Sequence, residues 1–498
     1  PARMKGEPLT KLYRGFVKGG LGTGIMPYGE VFFSNLRSNS MMYQMRAQHL
    51  SSGSNIGGFG NSAFSDNLIE INGKKFFEKT SLSGGLFYKR NVVHYYGYQS
   101  DSLTSNPLIA EYLENLGKDD IRQRYQTVGG QIGFGSSHLD SSKVMHNSIL
   151  EYSYSDNLGL PDDYGIDPGN IREHFFGYDG KIGFLLPPDP FGFAEKQYFT
   201  GEVKTHLYNH HFPFDSLAYT TGIVSLKPQL SSQYKDFRFT IGLDISIEAD
   251  TTSYMHFYPL AYVEANLIDK VLVAYGGIKG SLDRNSFRSL SEENPFVNEN
   301  LNLGFSNKRV ELSGGFKGSV SSYVAYNLQV INSVVDKYAF FVTDTSSILG
   351  NEYTTVFDNV NIFQLRGEIS SQIRERFNIR LCADYYKFTM ENELEAWHRP
   401  PLEITLGVMY NMRDKIILRA DVFARNSSYG KAYDDAGQVV AKKIHGFHVD
   451  ANLGIEYRYT KKLGAFLNLY NVQNQSYYRW LNYPGYKFNF MGGISYSF

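Results

Sequence analysis

The 498 residues contain a single cysteine, Cys382, which excludes an internal disulfide and any zinc cage built from cysteines. No run of about 18 apolar residues occurs, so the chain has no segment suited to a transmembrane helix. An excess of one charge is lacking as well. The net charge is -1, and a polyanion such as nucleic acid finds no electrostatic partner here. Tryptophan is scarce at 2 residues, whereas Tyr 38, Phe 36 and Gly 48 are abundant. That balance favours many strands and tight turns over helices.

What is present is alternation. In "FRFTIGLDISIE", Phe237, Phe239, Ile241, Leu243, Ile245 and Ile247 share one parity, and Arg238, Thr240, Asp244, Ser246 and Glu248 the other. "HVDANLGIEYRY" sets Val449, Ala451, Leu453, Ile455 and Tyr457 against His448, Asp450, Asn452, Glu456 and Arg458. "KIILRADVFAR", "LEITLGVMYNM" and "FNIRLCADY" read the same way. Period two over such lengths marks strands with one apolar and one polar face, since helices group residues at spacings of three and four. The polar faces collect Arg366, Glu368, Arg380, Asp384, Glu403, Arg419, Asp421, His448, Asp450, Glu456 and Arg458. On the lipid side of a barrel an Arg or Lys near the midplane costs about 2–4 kcal/mol, so these eleven are expected to face a polar lumen. They would form a solute path or a docking surface for a luminal plug there, or a braced wall of weak ion pairs.

Short connections alternate with long ones. Tight turns are expected at "GKK" near Gly73, at Met412 to Lys415 and at Thr460 to Lys462, and long loops near 98–120, 157–170, 281–307, 389–400 and 425–446. The final stretch "FNFMGGISYSF" places Ile494, Tyr496 and Phe498 on one parity. In a soluble sheet such a strand is a sticky edge; in a closed barrel it pairs with the first strand and no edge remains. The expected fold is therefore all-β. It is a transmembrane antiparallel barrel with an even number of strands, roughly 18–22, short periplasmic turns and long extracellular loops. Residues 1–498 read as a single barrel domain, with no composition break. Aromatic strand ends in "VVHYYGY" (Val92 to Tyr98) and "IEYRY" (Ile455 to Tyr459) are expected in an interfacial girdle.

Signs of chemistry are few. His206 and His210 in "HLYNHH" share a strand face but lie about 13 Å apart at four strand steps, too far for one ion, and His445 and His448 are no better placed. No metal and no cofactor is expected. "NIGGFGNSAF" (Asn55 to Phe64) opens no helix and reads as a loop rather than a phosphate cradle. No nucleophile elbow occurs, so no enzyme is expected. A triad assembled in space leaves no such motif; it would show itself as a Ser–His pair at hydrogen-bond distance facing lipid or rim.

The stretch "NLYNVQNQSYYRWLNYPGYKFNFMGGISYSF" resembles the closing segment of TonB-dependent receptor barrels, at Asn468, Tyr470, Asn471, Tyr477, Pro484, Gly485 and Phe498. "LTKLYRGFVKGGLGTGIMPYGEVFFSNLRS" and "NPFVNENLNL" are similar to TonB-dependent receptor-like barrels of Bacteroidota. The resemblance implies passage or uptake of solutes across a Gram-negative outer membrane. It also implies a cleaved signal peptide, outer-membrane lipid and lipopolysaccharide as surroundings, and barrel-assembly machinery that reads Ile494, Tyr496 and Phe498. Receptors of this kind carry a plug ahead of the barrel, whereas strand alternation here begins within the first twenty residues. The alternative is a non-transporting subunit in a stable complex with other outer-membrane proteins or lipoproteins, marked by loops folded into the lumen.

Overall fold

A computed structural model describes residues 13–35, 38–99, 107–136, 144–158, 170–187, 196–213, 218–299, 301–373, 376–434 and 436–498. Among the described residues, twenty-two strands form one sheet, each antiparallel to its neighbours. The strand Gly15–Gly22 pairs with Met26–Ser34 on one edge and with Asn489–Ser497 on the other. First and last strands therefore join, and the sheet closes into a barrel. Two hairpins, Tyr429–Tyr433 with Val439–Lys443 and Tyr478–Trp480 with Tyr483–Pro484, stand outside that sheet.

The two parities separate as the alternation requires. Ile241 is 53% exposed on the outer wall, whereas Asp244 on the opposite face is 5% exposed and receives Lys227 Nζ at 3.0 Å. Leu453 and Ile455 likewise point outward, while Glu456 holds Arg458 at 3.1 Å on the inner face.

One rim carries tight turns. At 413–415, Arg413 and Asp414 both adopt left-handed backbone, with φ of 53° and 57°, the pattern of a two-residue hairpin turn matched to strand twist. At 459–462 the Thr460 hydroxyl accepts the N–H groups of Lys462 and Leu463 at 3.1 and 2.9 Å. The expected turn near Gly73 is not there. Gly73 lies inside the strand Phe64–Phe76, opposite Tyr43 and Gly84, and the chain turns at 77–79 instead. The opposite rim carries the long connections, among them 95–121, 286–303, 391–401, 426–447 and 471–488. Of the expected loops at 98–120, 157–170, 281–307 and 425–446, residues 100–106, 159–169, 300 and 435 lie outside the described residues, as do residues 9–12 of the opening segment.

The largest apolar core lies inside this long-loop rim rather than in the wall. On the strand Arg122–Ser136, Tyr125 shares the inner parity of buried Thr127, while Val128 and Ile132 are exposed outside. The helix Phe287–Glu293 packs Phe287 against Tyr125, ring centroids 6.0 Å apart, so it sits within the barrel. It begins with a capping box between Ser286 and Ser289. Its first turn is tied to the wall, because Glu173 accepts Ser286 Oγ at 3.1 Å and the Arg288 N–H at 3.3 Å.

Candidate functional site

The loop cluster lies at the long-connection end of the barrel. Tyr95, Phe296, Val297, Tyr353, Trp480 and Tyr483 form one buried group, contributed by connections 95–121, 286–303 and 471–488 and by the strand Tyr353–Ile373. Tyr483 stacks on Phe296 with centroids 3.6 Å apart and meets Tyr96 edge-on at 4.9 Å. The polar atoms that such burial would orphan are paired across the lumen. Tyr95 Oη donates to Val297 O at 2.5 Å, Tyr96 Oη to Pro484 O at 2.8 Å, Tyr353 Oη to Leu481 O at 2.6 Å, and Tyr483 Oη to Asn351 O. An ion pair of 2.7 Å between Arg399 and Glu293 ties connection 391–401 to connection 286–303. Tyr95 and Tyr96 thus belong to the inner cluster and not to an interfacial girdle. Tyr457 and Tyr459 do face outward beside the short turns.

His398 is the titratable centre of this cluster. Its Nδ1 donates to Phe341 O at 3.0 Å and its Nε2 accepts the Leu481 N–H at 3.2 Å. Both nitrogens are committed to one neutral tautomer, and burial lowers the pKa to about 3. The opened state takes up a proton near the ordinary value of about 6.5. Cluster stability contributed by His398 is therefore complete above about pH 6.5. It falls by about 1.4 kcal/mol for each pH unit from there toward pH 3. The chain's two tryptophans, Trp397 and Trp480, are both buried in loops at this end. Their fluorescence is expected to shift to the red between pH 7 and pH 4; an unchanged spectrum would show that His398 does not control the packing.

Below the cluster lies the wall with the eleven polar residues. Register puts Arg366 opposite Asp384, Asp384 opposite Glu403, Glu403 opposite Arg425 and Arg425 opposite His448, a continuous inner row. Arg366 approaches Asp384 at 3.9 Å, Arg380 approaches Glu368 at 3.1 Å, and Arg425 approaches Glu403 at 2.8 Å. Glu456 takes both Arg419 at 3.6 Å and Arg458 at 3.1 Å. The Arg380 side chain is 73% exposed, so water reaches this part of the wall, and such pairs contribute about 0–1 kcal/mol each. Asp421 is exposed on the same parity as Arg419, and Asp450 lies opposite Phe423. His448 is buried higher up, stacked on Tyr477 at 5.0 Å. Ile494, Tyr496 and Phe498 all face outward on or beside the closing strand.

Three solved structures share this architecture. The FrpB iron transporter of Neisseria meningitidis aligns over 98% of this chain and 82% of its own, with TM-score 0.71 at 10% identity. The siderophore receptor PirA of Acinetobacter baumannii aligns over 99% and 81%, with TM-score 0.71 at 10% identity. The ferric enterobactin receptor of Pseudomonas aeruginosa aligns over 97% and 81%, with TM-score 0.69 at 13% identity. The fold is that of the siderophore-receptor barrels. No protein-family model matches the sequence, and no curated protein matches it. These neighbours are transporters and receptors rather than enzymes. The closing segment that suggested a receptor barrel keeps a structural task here. Asn471 has left-handed φ of 47°, and its Nδ2 donates to Gln475 O at 2.7 Å and Tyr486 O at 3.1 Å, which anchors connection 471–488.

Sequence patterning does not point to the inner cluster, because loop aromatics follow no period. One signal was available: both tryptophans fall in long connections, where a solvated loop has no use for a large apolar ring.

Proposed function

We propose that this chain passes a solute across the outer membrane, through a polar chamber that opens when the loop cluster yields. The observation that carries this reading is the combination of a receptor-type barrel with a charged, solvent-exposed inner row beneath a cluster built from its loops. Iron and its chelates are the solutes in the names of the similar proteins, and they are the class to try first. The row from Arg366 to Arg458 is the proposed path; its mixed charges favour hydrogen-bonding solutes over ions of one sign. We assign no catalysis to the lumen.

Lipid and lipopolysaccharide surround the wall in this reading, barrel-assembly machinery recognises Ile494, Tyr496 and Phe498, and export uses a cleaved signal peptide. Residues 1–498 act as one barrel domain of the Bacteroidota receptor-like kind, with the described loops folded into the lumen.

The same inward loops support a second reading, a barrel that serves as a non-transporting subunit of a larger assembly. Purification from native outer membranes in mild detergent separates the two. A partner recovered at fixed ratio, with no growth defect on ferric chelates in a deletion strain, supports the subunit. Recovery without such a partner, together with that growth defect, supports passage.

A further inference from the structure

The outer wall carries a second site, unrelated to the lumen. His49 ends the strand Met41–Ser52 together with Ser51, and Asn67 lies directly opposite His49 on the strand Phe64–Phe76. His49 Nδ1 stands 2.7 Å from Asn67 Oδ1, and His49 Nε2 stands 3.0 Å from Ser51 Oγ. The directions of these bonds are fixed by chemistry. Asn67 Nδ2 donates to Ser65 Oγ at 3.1 Å and to Arg90 O at 3.4 Å, so its carbonyl oxygen is the atom turned to histidine. A carbonyl only accepts, hence Nδ1 carries the proton. In the neutral imidazole Nε2 then keeps its lone pair, to which the Ser51 hydroxyl donates. This is a nucleophile, a base and an orienting group in the order that acyl transfer requires.

The face is the lipid face. Met45, Ile69 and Ile71 share the parity of His49 and Asn67 and are exposed, while Arg46 turns inward to Glu30 at 3.1 Å. The site lies at the long-loop end of its strands, which in the membrane placement proposed above is the level of the outer leaflet. Polar residues are tolerated near a membrane interface; what distinguishes these is their directed chain of bonds and the space beside them. Register runs Gly19, Gly29, His49, Asn67, Arg90 across five strands. A Cβ at Gly19 or Gly29 would meet nothing within 4 Å. The result is a shallow groove of about 670 Å³ whose sides include Val17, Val31 and Arg90.

We propose that Ser51, His49 and Asn67 hydrolyse an acyl ester of an outer-leaflet lipid. The acyl chain would lie along the glycine floor, with Arg90 beside the phosphate that headgroups of such lipids carry. Ser51 Oγ attacks the ester carbonyl carbon while its proton passes to His49 Nε2. The carbon–oxygen bond to the lipid alcohol breaks, and that alcohol leaves with the proton from Nε2. Water, deprotonated in turn by Nε2, adds to the acyl-serine carbonyl, and the free fatty acid departs with Ser51 restored. One ester and one water give one acid and one alcohol. The missing sequence motif does not weigh against this, because the partners meet only through strand register.

The test uses the full barrel in mixed micelles, with a fluorophosphonate probe and with fatty-acid release from either diacyl phosphatidylethanolamine or lipid A. Labelling of Ser51 and release from one or both lipids is the expected result, and the lipid cleaved identifies the source. Ser51→Ala should abolish labelling, and His49→Ala should lower release by about 10²–10⁴-fold, both with unchanged heat-shifted migration of the folded barrel. Gly29→Trp fills the groove, so it should lose lipid cleavage and keep labelling by the small probe. Absence of Ser51 labelling together with release no greater than that of Ser51→Ala overturns the proposal.

Discussion

In planar bilayers the wild-type barrel should pass little current, and a Phe296→Ala, Tyr483→Ala double variant should show stepwise conductance. Phe296 and Tyr483 are the stacked pair at the centre of the loop cluster, and each is almost completely buried. Truncating a buried aromatic costs about 3–5 kcal/mol. Losing Tyr483 also removes the hydroxyl donor to Asn351 O, and losing Phe296 removes the ring on which both Tyr95 and Tyr96 pack edge-on. The wall itself keeps every strand pairing, so folding of the barrel should survive while the closure loosens. Single variants should give intermittent openings and the double variant sustained ones. A double variant as silent as wild type would mean that the described loops do not hold the lumen shut.

The second large effect lies on the outside. Replacing Leu453 with Arg should reduce the folded, membrane-inserted fraction sharply, while Asn452→Ala leaves most of it intact. Leu453 sits midway along the strand His448–Arg458 with its side chain outward, where a cation costs about 2–4 kcal/mol. Asn452 faces inward, where its Oδ1 accepts the Asn471 N–H at 3.0 Å, a net contribution of about 1 kcal/mol. The pair Ile241 and Asp244 offers a less clean contrast. Asp244 also holds Lys227 and the hydroxyls of Ser225 and Ser246, so its removal leaves a half-buried cation unpaired and two hydroxyls without their acceptor. Heat-shifted migration of membrane fractions reads both outcomes. Equal losses for Leu453→Arg and Asn452→Ala would contradict the assignment of faces.

The wall was legible because lipid and water impose opposite demands on successive residues. From Phe377 to Arg458 polarity alone gives the same faces that register gives. At the other end of the chain it does not. Phe16 and Lys18 share the inner face, where Lys18 Nζ rests 4.1 Å above the Phe466 ring, and Phe16 stacks on Phe32 at 5.6 Å. A luminal aromatic beside a luminal cation blurs any binary pattern. Gly73 misleads in another way: a glycine beside two lysines has turn composition, yet it occupies a paired position in mid-strand. The Ser51, His49 and Asn67 site is illegible for a third reason. Two of its members are adjacent on one strand, but the third is brought to them by a pairing that no local window contains.

The bonds that tie Tyr96 to Pro484 and Asn351 to Tyr95 join positions 388 and 256 residues apart. Contacts so distant along the chain form late, since the intervening loops must first be brought together at an entropic cost. Here the loops ride on strands that take their places only when the wall has become a circle. The loops at the mouth therefore meet late in folding, after the strands that carry them.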